Sequence, residues 1–188
     1  MANYPSDEQI AEMTKQLTET RLDNWLSIHF ASWHWYLLVV LLVVPWIIWV
    51  KLVDKRQLHE LALFGLIIMV FTITLDELGF ALSLWSYPVE VIPIFPRLTS
   101  VDYTAVPIIY TFIYQYFPTW KSFFWAIVVL AILFSFVAEP IIIKLGFYVL
   151  IKWSYWASFF IYIPMGLFAR WLTKLLLAVT HKANAKKD

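Results

Sequence analysis

Carboxylates set in apolar sequence are the residues of this chain most able to do chemistry. Asp76 and Glu77 lie near the end of one apolar helical run, and Glu139 lies near the end of another. An ionised group at membrane depth is costly, so such residues indicate function by default. We therefore predict that Asp76 and Glu139 form a carboxylate pair facing the interior of a helix bundle. The pair would serve as a ligand clamp or, if the protein is an enzyme, as its catalytic acid.

Arg97 is the predicted partner of these carboxylates. It is the one cation of the stretch 84–102, and a guanidinium can bridge two carboxylates. We expect Arg97 to turn inward, either as part of a ligand site or simply to tie the loop to Asp76 or Glu139. Its loss would then strand a buried charge at a cost of roughly 3 to 5 kcal/mol.

Three further residues are predicted to bind ligand: Asp102, Tyr110 and Tyr114. The two tyrosines share one face of a helical segment and can stack against a flat or polyunsaturated apolar ligand. Core packing explains the same aromatic stripe, and that alternative stays open.

Metal, cofactor and nucleic-acid chemistry find no support in the residue types. The chain has no cysteine, and its histidines lack metal-binding spacing with one another: His29, His34, His59 and His181. The net charge is +1, without a dense basic tract. We predict no metal site, no cofactor and no nucleic-acid partner.

The elements that position these residues are predicted to be membrane helices. Of 188 residues, 62% are hydrophobic and 14% are charged, and the mean hydropathy is +0.73. A soluble core cannot account for so many consecutive apolar positions, and continuous rather than alternating runs favour helices over strands. The predicted fold class is an all-α integral membrane bundle of five transmembrane helices, near 33–53, 60–82, 103–117, 122–143 and 155–177.

Charge and tryptophan placement predict the orientation of this bundle. Most lysines and arginines fall on one side of the five spans, which the positive-inside rule places in the cytoplasm. The N-terminus is then outside, the C-terminus is cytoplasmic, and the tryptophans mark both interfaces. We expect a multi-pass protein of the cytoplasmic membrane, in contact with membrane lipids.

The chain divides into three predicted regions. Residues 1–32 form an amphipathic interfacial arm, in which Ser6 and Gln9 make a capping box for a helix over 6–24. Residues 33–178 form the transmembrane domain, with a proline-rich outer loop at 84–102 that folds back onto the bundle. Residues 179–188 form a basic cytoplasmic tail.

The order and spacing of several short motifs resemble a family of small five-span membrane proteins from spore-forming Gram-positive bacteria. The motifs are PWIIWVKLVDKR at 45–56, LDELG at 75–79, LWSYP at 84–88, VDYTAVPIIY at 101–110, IYQYFPTWKSF at 113–123 and AEPIIIKLG at 138–146. This resemblance implies a bacterial cytoplasmic membrane and carries no established activity.

A fainter likeness is to the heterodimeric-type lycopene cyclase domain. Similar residues are Asp76, Trp85, Tyr87, Pro88 and Gln115, and Asp102 stands where that family has paired glutamates. This second resemblance implies a shared architecture, with or without shared chemistry.

These observations predict an outward-facing pocket for a lipidic or isoprenoid ligand, lined by intramembrane carboxylates. Binding is favoured over catalysis. One alternative is a non-redox isoprenoid isomerase or cyclase-like enzyme with Asp76 or Glu139 as general acid. The other is a structural or accessory membrane subunit that docks on a membrane-protein partner or on a second copy of itself.

Overall fold

The computed structural model describes residues 5–95 and 97–185, and it is mostly helical. Within those residues, four helical segments are long and apolar enough to cross a membrane: Trp33–Leu52, Lys55–Ala81, Trp120–Lys144 and Tyr155–Asn184. They correspond to four of the five predicted spans, and the protein is therefore a helical membrane protein.

The α-helices follow the chain as α1 (Asp7–Asn24), α2 (Trp33–Leu52), α3 (Leu58–Ala81), α4 (Val106–Tyr116), α5 (Trp120–Leu133), α6 (Glu139–Lys144) and α7 (Tyr155–Asn184). Two short strands, β1 (Trp85–Ser86) and β2 (Val149–Leu150), pair in antiparallel register. Short π-helices cover Trp25–His29, Val101–Ala105 and Phe134–Ala138.

The predicted span at 103–117 is present as a buried helix that is shorter than the other four. It comprises the π-helix Val101–Ala105 and the 11-residue α4, and Pro118 follows its last turn. α4 packs against α3 and α5, and Tyr110 at its centre is fully buried. Gly166 of α7 leaves room for the Tyr110 ring, because a Cβ atom there would come within 2.8 Å of it.

Two of the π-helices precede prolines and share a physical origin. A proline ring clashes with the carbonyl four residues earlier, and a π-turn relieves that clash by widening the helix. The residue four before Pro107 is Tyr103, and the residue four before Pro140 is Phe136, so each clash falls inside a π-helix. Each π-helix rotates the helical faces that follow it. Asp102 lies within the first of these two π-helices, and Glu139 lies directly after the second.

Buried hydroxyls bind the segment before α4 to α2. Ser100 Oγ donates to the Leu38 carbonyl at 2.6 Å, and Thr104 Oγ1 donates to the Leu41 carbonyl at 2.9 Å. Ser100 and Thr104 are fully buried. Because apolar surroundings make an unmade hydrogen bond expensive, these contacts hold Asp102 at a defined depth.

The strands β1 and β2 bring together the two connections at one end of the bundle, which we call the sheet end. Leu84 extends the pairing, since its carbonyl accepts from the backbone N–H of Ile151 at 2.9 Å and of Lys152 at 3.0 Å. The described part of this connection, residues 82–95 and 97–98, therefore lies across the ends of α3, α6 and α7 instead of standing free. It forms the roof of the site described next.

Candidate functional site

A cavity of about 230 Å³ lies beneath this roof at the sheet end. Its walls are mostly apolar, and Asp76, Asp102 and Glu139 are its carboxylates. All three are buried, with exposed fractions of 6%, 4% and 7%. The structure thus brings to one cavity three of the carboxylates singled out in the sequence.

Asp76 is positioned by α3 and anchored by the roof. Its Oδ1 atom accepts from Trp85 Nε1 at 2.9 Å and also from the Tyr87 hydroxyl. Its Oδ2 atom is buried and has no hydrogen-bond partner among the described residues. One oxygen is therefore fixed by the roof, and the other receives no donor from it.

Asp102 faces Asp76 from the π-helix before α4. When it is protonated, Asp102 is positioned to donate to the Asp76 carboxylate. Apart from this mutual contact, its own Oδ2 atom is buried and receives no donor within the described residues.

Glu139 joins the cavity from the first turn of α6. The Tyr162 hydroxyl donates to its Oε1 atom at 3.0 Å, and Ser158 lies beside the same carboxyl group. Ser158 Oγ in turn accepts from Trp153 Nε1 at 2.9 Å. In the part of the chain that the structure describes, Oε2 of Glu139 has no partner.

Aromatic rings form much of the polar wall and the roof. Tyr87 and Tyr148 stack with centroids 5.4 Å apart, and Trp85 contacts Trp153 edge-on at 5.1 Å. Trp85 lies directly over Gly79 of α3, where any Cβ atom would overlap its ring. Glycine is therefore required at that position for the indole to reach Asp76.

Arg97 turns inward, with 13% of its side chain exposed, but it does not make the predicted contacts. Its guanidinium pairs with Glu77, whose side chain is 50% exposed, and Arg97 is not part of the cavity wall. Glu77 follows Asp76 in α3 and points about 100° away from it, so it meets the loop at the surface of the bundle. The predicted pairing with Asp76 or Glu139 is wrong, although Arg97 is still close enough to act electrostatically on Asp76 and Asp102.

Tyr110 and Tyr114 also lie outside the cavity wall. The Tyr110 hydroxyl donates to the Tyr162 carbonyl at 2.8 Å, beneath the cavity, and both tyrosines belong to the main apolar core. Tyr114 bonds to Glu60, which also pairs with Lys174 at 2.6 Å. Glu60 is in the first turn of α3, so this cluster is at the end of the bundle opposite the sheet end. Tyr110 and Tyr114 therefore belong to the packed core, as the alternative given in the sequence analysis describes, and not to the cavity.

Tyr148, Ser158 and Tyr162 are the site residues that sequence reasoning missed. Ser158 and Tyr162 are four residues apart in an apolar helix, a spacing that places two polar groups on one face and could have marked them. Tyr148 offers no such signal, because only the β1–β2 pairing brings it over the cavity. In the described parts of the chain, no cluster of three or more metal-ligating side chains is present.

Comparisons of the chain with protein-family models, with curated proteins and with solved structures found no match. What the site can do therefore follows from its own groups. The three carboxyl groups of the wall can accept hydrogen bonds from a guest, and the apolar and aromatic walls can hold the rest of it.

Proposed function

We propose that this protein binds a lipidic or isoprenoid ligand in the cavity at its sheet end. The observation that supports this proposal is the presence of three buried carboxyl groups in the wall of an otherwise apolar cavity, each with one oxygen to which no described residue outside these carboxyls donates. A buried acceptor without a partner costs free energy, and a ligand that donates to it recovers that cost. A ligand with an apolar body and a donor head matches both parts of the cavity.

We further propose a five-span topology in the bacterial cytoplasmic membrane. The helix Val101–Tyr116 would be the third and shortest span, the N-terminus would be outside, and the C-terminus would be cytoplasmic. The asymmetric distribution of lysine and arginine supports this orientation. In this arrangement the sheet end, and with it the cavity, faces the outside.

The proposed function is tested by identifying what the protein retains on purification. Mass spectrometry of material extracted from the parent protein is expected to show a near-stoichiometric apolar compound. The double variant Asp76→Asn/Glu139→Gln should lose it, whereas Glu19→Gln, the same type of change on the exposed α1, should keep it. A parent protein that carries only bulk lipid, in the same proportions as both variants, would contradict the proposal.

A second candidate is a non-redox isomerase acting on an isoprenoid. The contact between Asp76 and Asp102 favours it, because such a pair can hold a proton in apolar surroundings. Asp76 or Glu139 would protonate a carbon–carbon double bond, and an ionised carboxylate would then remove a proton from an adjacent carbon. This exchange balances without an oxidant. Incubating the protein with an isoprenoid in deuterated water would reveal it as deuterium on carbon, and unlabelled substrate would exclude it.

A further inference from the structure

The charge balance of the cavity is one-sided. Three carboxyl groups line it, whereas no lysine or arginine among the described residues does. The nearest cation of the roof, Arg97, directs its guanidinium to Glu77. Apart from the contact between Asp76 and Asp102, each cavity carboxyl also has one buried oxygen for which the described residues supply no donor. The wall therefore offers acceptors and negative charge, and among the described residues it contains no positive side chain, since Arg97 acts on Asp76 and Asp102 from outside it.

The cavity aromatics reinforce this preference. The face of an indole or phenol ring carries negative electrostatic potential and attracts cations. Trp85, Trp153, Tyr87 and Tyr148 cluster at the roof next to the carboxyls. A cation in this cavity would meet carboxylate oxygens and ring faces together, in surroundings dry enough to strengthen both interactions.

We infer that the ligand of this cavity has a cationic head of the ammonium type on its apolar body. This inference rests on the proposed function and specifies the ligand class. The head donates to the carboxyl groups of Asp76, Asp102 and Glu139, which line the cavity, and the apolar body lies along the aliphatic wall. A neutral hydroxyl head can satisfy one of these oxygens but brings no charge, so the cavity distinguishes ammonium from alcohol.

Binding of a cation also displaces protons from the carboxyl groups. The titratable and charged groups that face the head are Asp76 from α3, Tyr87 from the roof, Asp102 before α4, Glu139 from α6, Tyr148 before β2 and Tyr162 from α7, with Arg97 and its partner Glu77 at the margin. A carboxyl proton competes with the ammonium head for the same oxygen. The affinity for the cation should therefore rise with pH until the amine itself begins to lose its proton.

The experiment compares farnesylamine with farnesol, which share one isoprenoid body and differ in the head. Full-length protein in nanodiscs of zwitterionic phosphatidylcholine is titrated with each compound, and binding to empty nanodiscs is subtracted. We expect farnesylamine to bind at least about tenfold more tightly than farnesol near neutral pH, as one charge-assisted hydrogen bond allows. Its affinity should increase with pH, whereas that of farnesol should stay nearly constant.

Variants locate the binding and separate the possible failures. Asp76→Asn/Glu139→Gln should remove the preference for farnesylamine, and Glu19→Gln should retain it. If the double variant does not fold, the rise of farnesylamine affinity with pH against the nearly constant farnesol affinity on the parent protein still decides the matter. Equal affinity for the two compounds, or a preference that survives in a folded double variant, would overturn the cationic head and leave the proposed function standing. Failure of the parent to bind either compound, together with no retained compound on purification, would overturn both.

Discussion

At the scale of single residues, the main feature of the site is that each carboxyl group has only part of its hydrogen-bonding capacity used. Asp76 receives two donors on one oxygen, and apart from its contact with Asp102 it receives none, among the described residues, on the other. Trp85 and Tyr87 thus hold the carboxyl in one orientation without consuming its capacity to bind. Such partial satisfaction costs stability in a core and is informative where it occurs, since it indicates a place for a guest.

Gly79→Ala should disturb Asp76 without altering a polar group. The added methyl group overlaps the Trp85 ring, so the indole must move away from Asp76. We expect a loss of about 1 to 3 kcal/mol, as is usual for overpacking, measured as a lower melting temperature in detergent. Gly65→Ala is the matched control, because its methyl would meet only the Thr111 hydroxyl at 2.9 Å and should cost less.

The double variant Gly79→Ala/Trp85→Phe tests the cause of this loss. Phenylalanine lacks the ring atoms that the methyl group would overlap, so the two changes should be less destabilising together than the sum of their separate effects. Strictly additive losses would show that Gly79 matters for another reason.

Arg97→Ala should cost little, contrary to the expectation from the sequence. The Arg97 side chain is only 13% exposed, but its partner Glu77 is half-exposed, so water screens the pair and it contributes about 0 to 1 kcal/mol. Glu77→Gln should cost a similar amount in the same thermal melts, because it breaks the same pair. A loss of several kcal/mol for Arg97→Ala alone would mean that the arginine neutralises Asp76 or Asp102 more strongly than its contacts indicate.

At the scale of elements, the N-terminal arm is held by few contacts. α1 buries none of its residues, and its capping box at Ser6 and Gln9 forms as predicted. Trp25 Nε1 donates to the Glu90 carbonyl at 3.0 Å, and the Arg21 guanidinium lies 5.4 Å from the Phe80 ring centroid. The arm is therefore tied to the roof through the segment around Glu90.

Glu90 should make the attachment of the arm depend on pH. Burial raises the pKa of its carboxyl from 4.5 to about 8, and the charge of Arg21 opposes this shift in part. Since the folded-state pKa is the higher one, the associated stability is fully present below about pH 4.5 and is lost as the pH rises through about 8. Because the side chain is partly exposed, we expect a loss of roughly 1 to 2 kcal/mol.

The measurement is limited proteolysis of the arm, with melting temperatures, across about pH 5 to 9. Cleavage in α1 should become faster as the pH rises for the parent protein, after correction for the protease's own pH profile. Glu90→Gln, which cannot ionise, should show a nearly flat response. An identical response of parent and variant would assign the pH effect to another group.

At the scale of the whole molecule, the proposed topology can be tested by single cysteine substitutions in the parent sequence, because the chain has no cysteine to remove first. Single substitutions Glu12→Cys and Pro88→Cys should react with a membrane-impermeant maleimide on intact cells. Lys55→Cys and Ala183→Cys should react only after permeabilisation. If residues 12 and 183 were labelled from the same side, the number of spans would be even, and the helix Val101–Tyr116 would not cross.

The amino-acid sequence by itself determined that this is a helical membrane protein and roughly where its long helices run. The predicted segment 33–53 appears as Trp33–Leu52, and 122–143 appears as Trp120–Lys144. These features follow from local properties, namely the apolar length needed to cross a bilayer and the caps and prolines that bound a helix. The burial of Asp76 and Glu139 could be predicted in the same way, because both lie within apolar sequence that places them at membrane depth.

Only the tertiary structure decided which side chains meet. Arg97 selected Glu77 instead of Asp76, because two adjacent helical residues point in directions about 100° apart and the loop approaches from one of them. The pairing of β1 with β2 places Tyr148 at the cavity, and the rotation of α7 places Tyr162 there. Both placements depend on contacts between segments far apart in the chain. The π-helices before Pro107 and Pro140 rotate the helix that follows each of them, and so determine which way the side chains of α4 and Glu139 point. A regular helical period cannot predict this rotation.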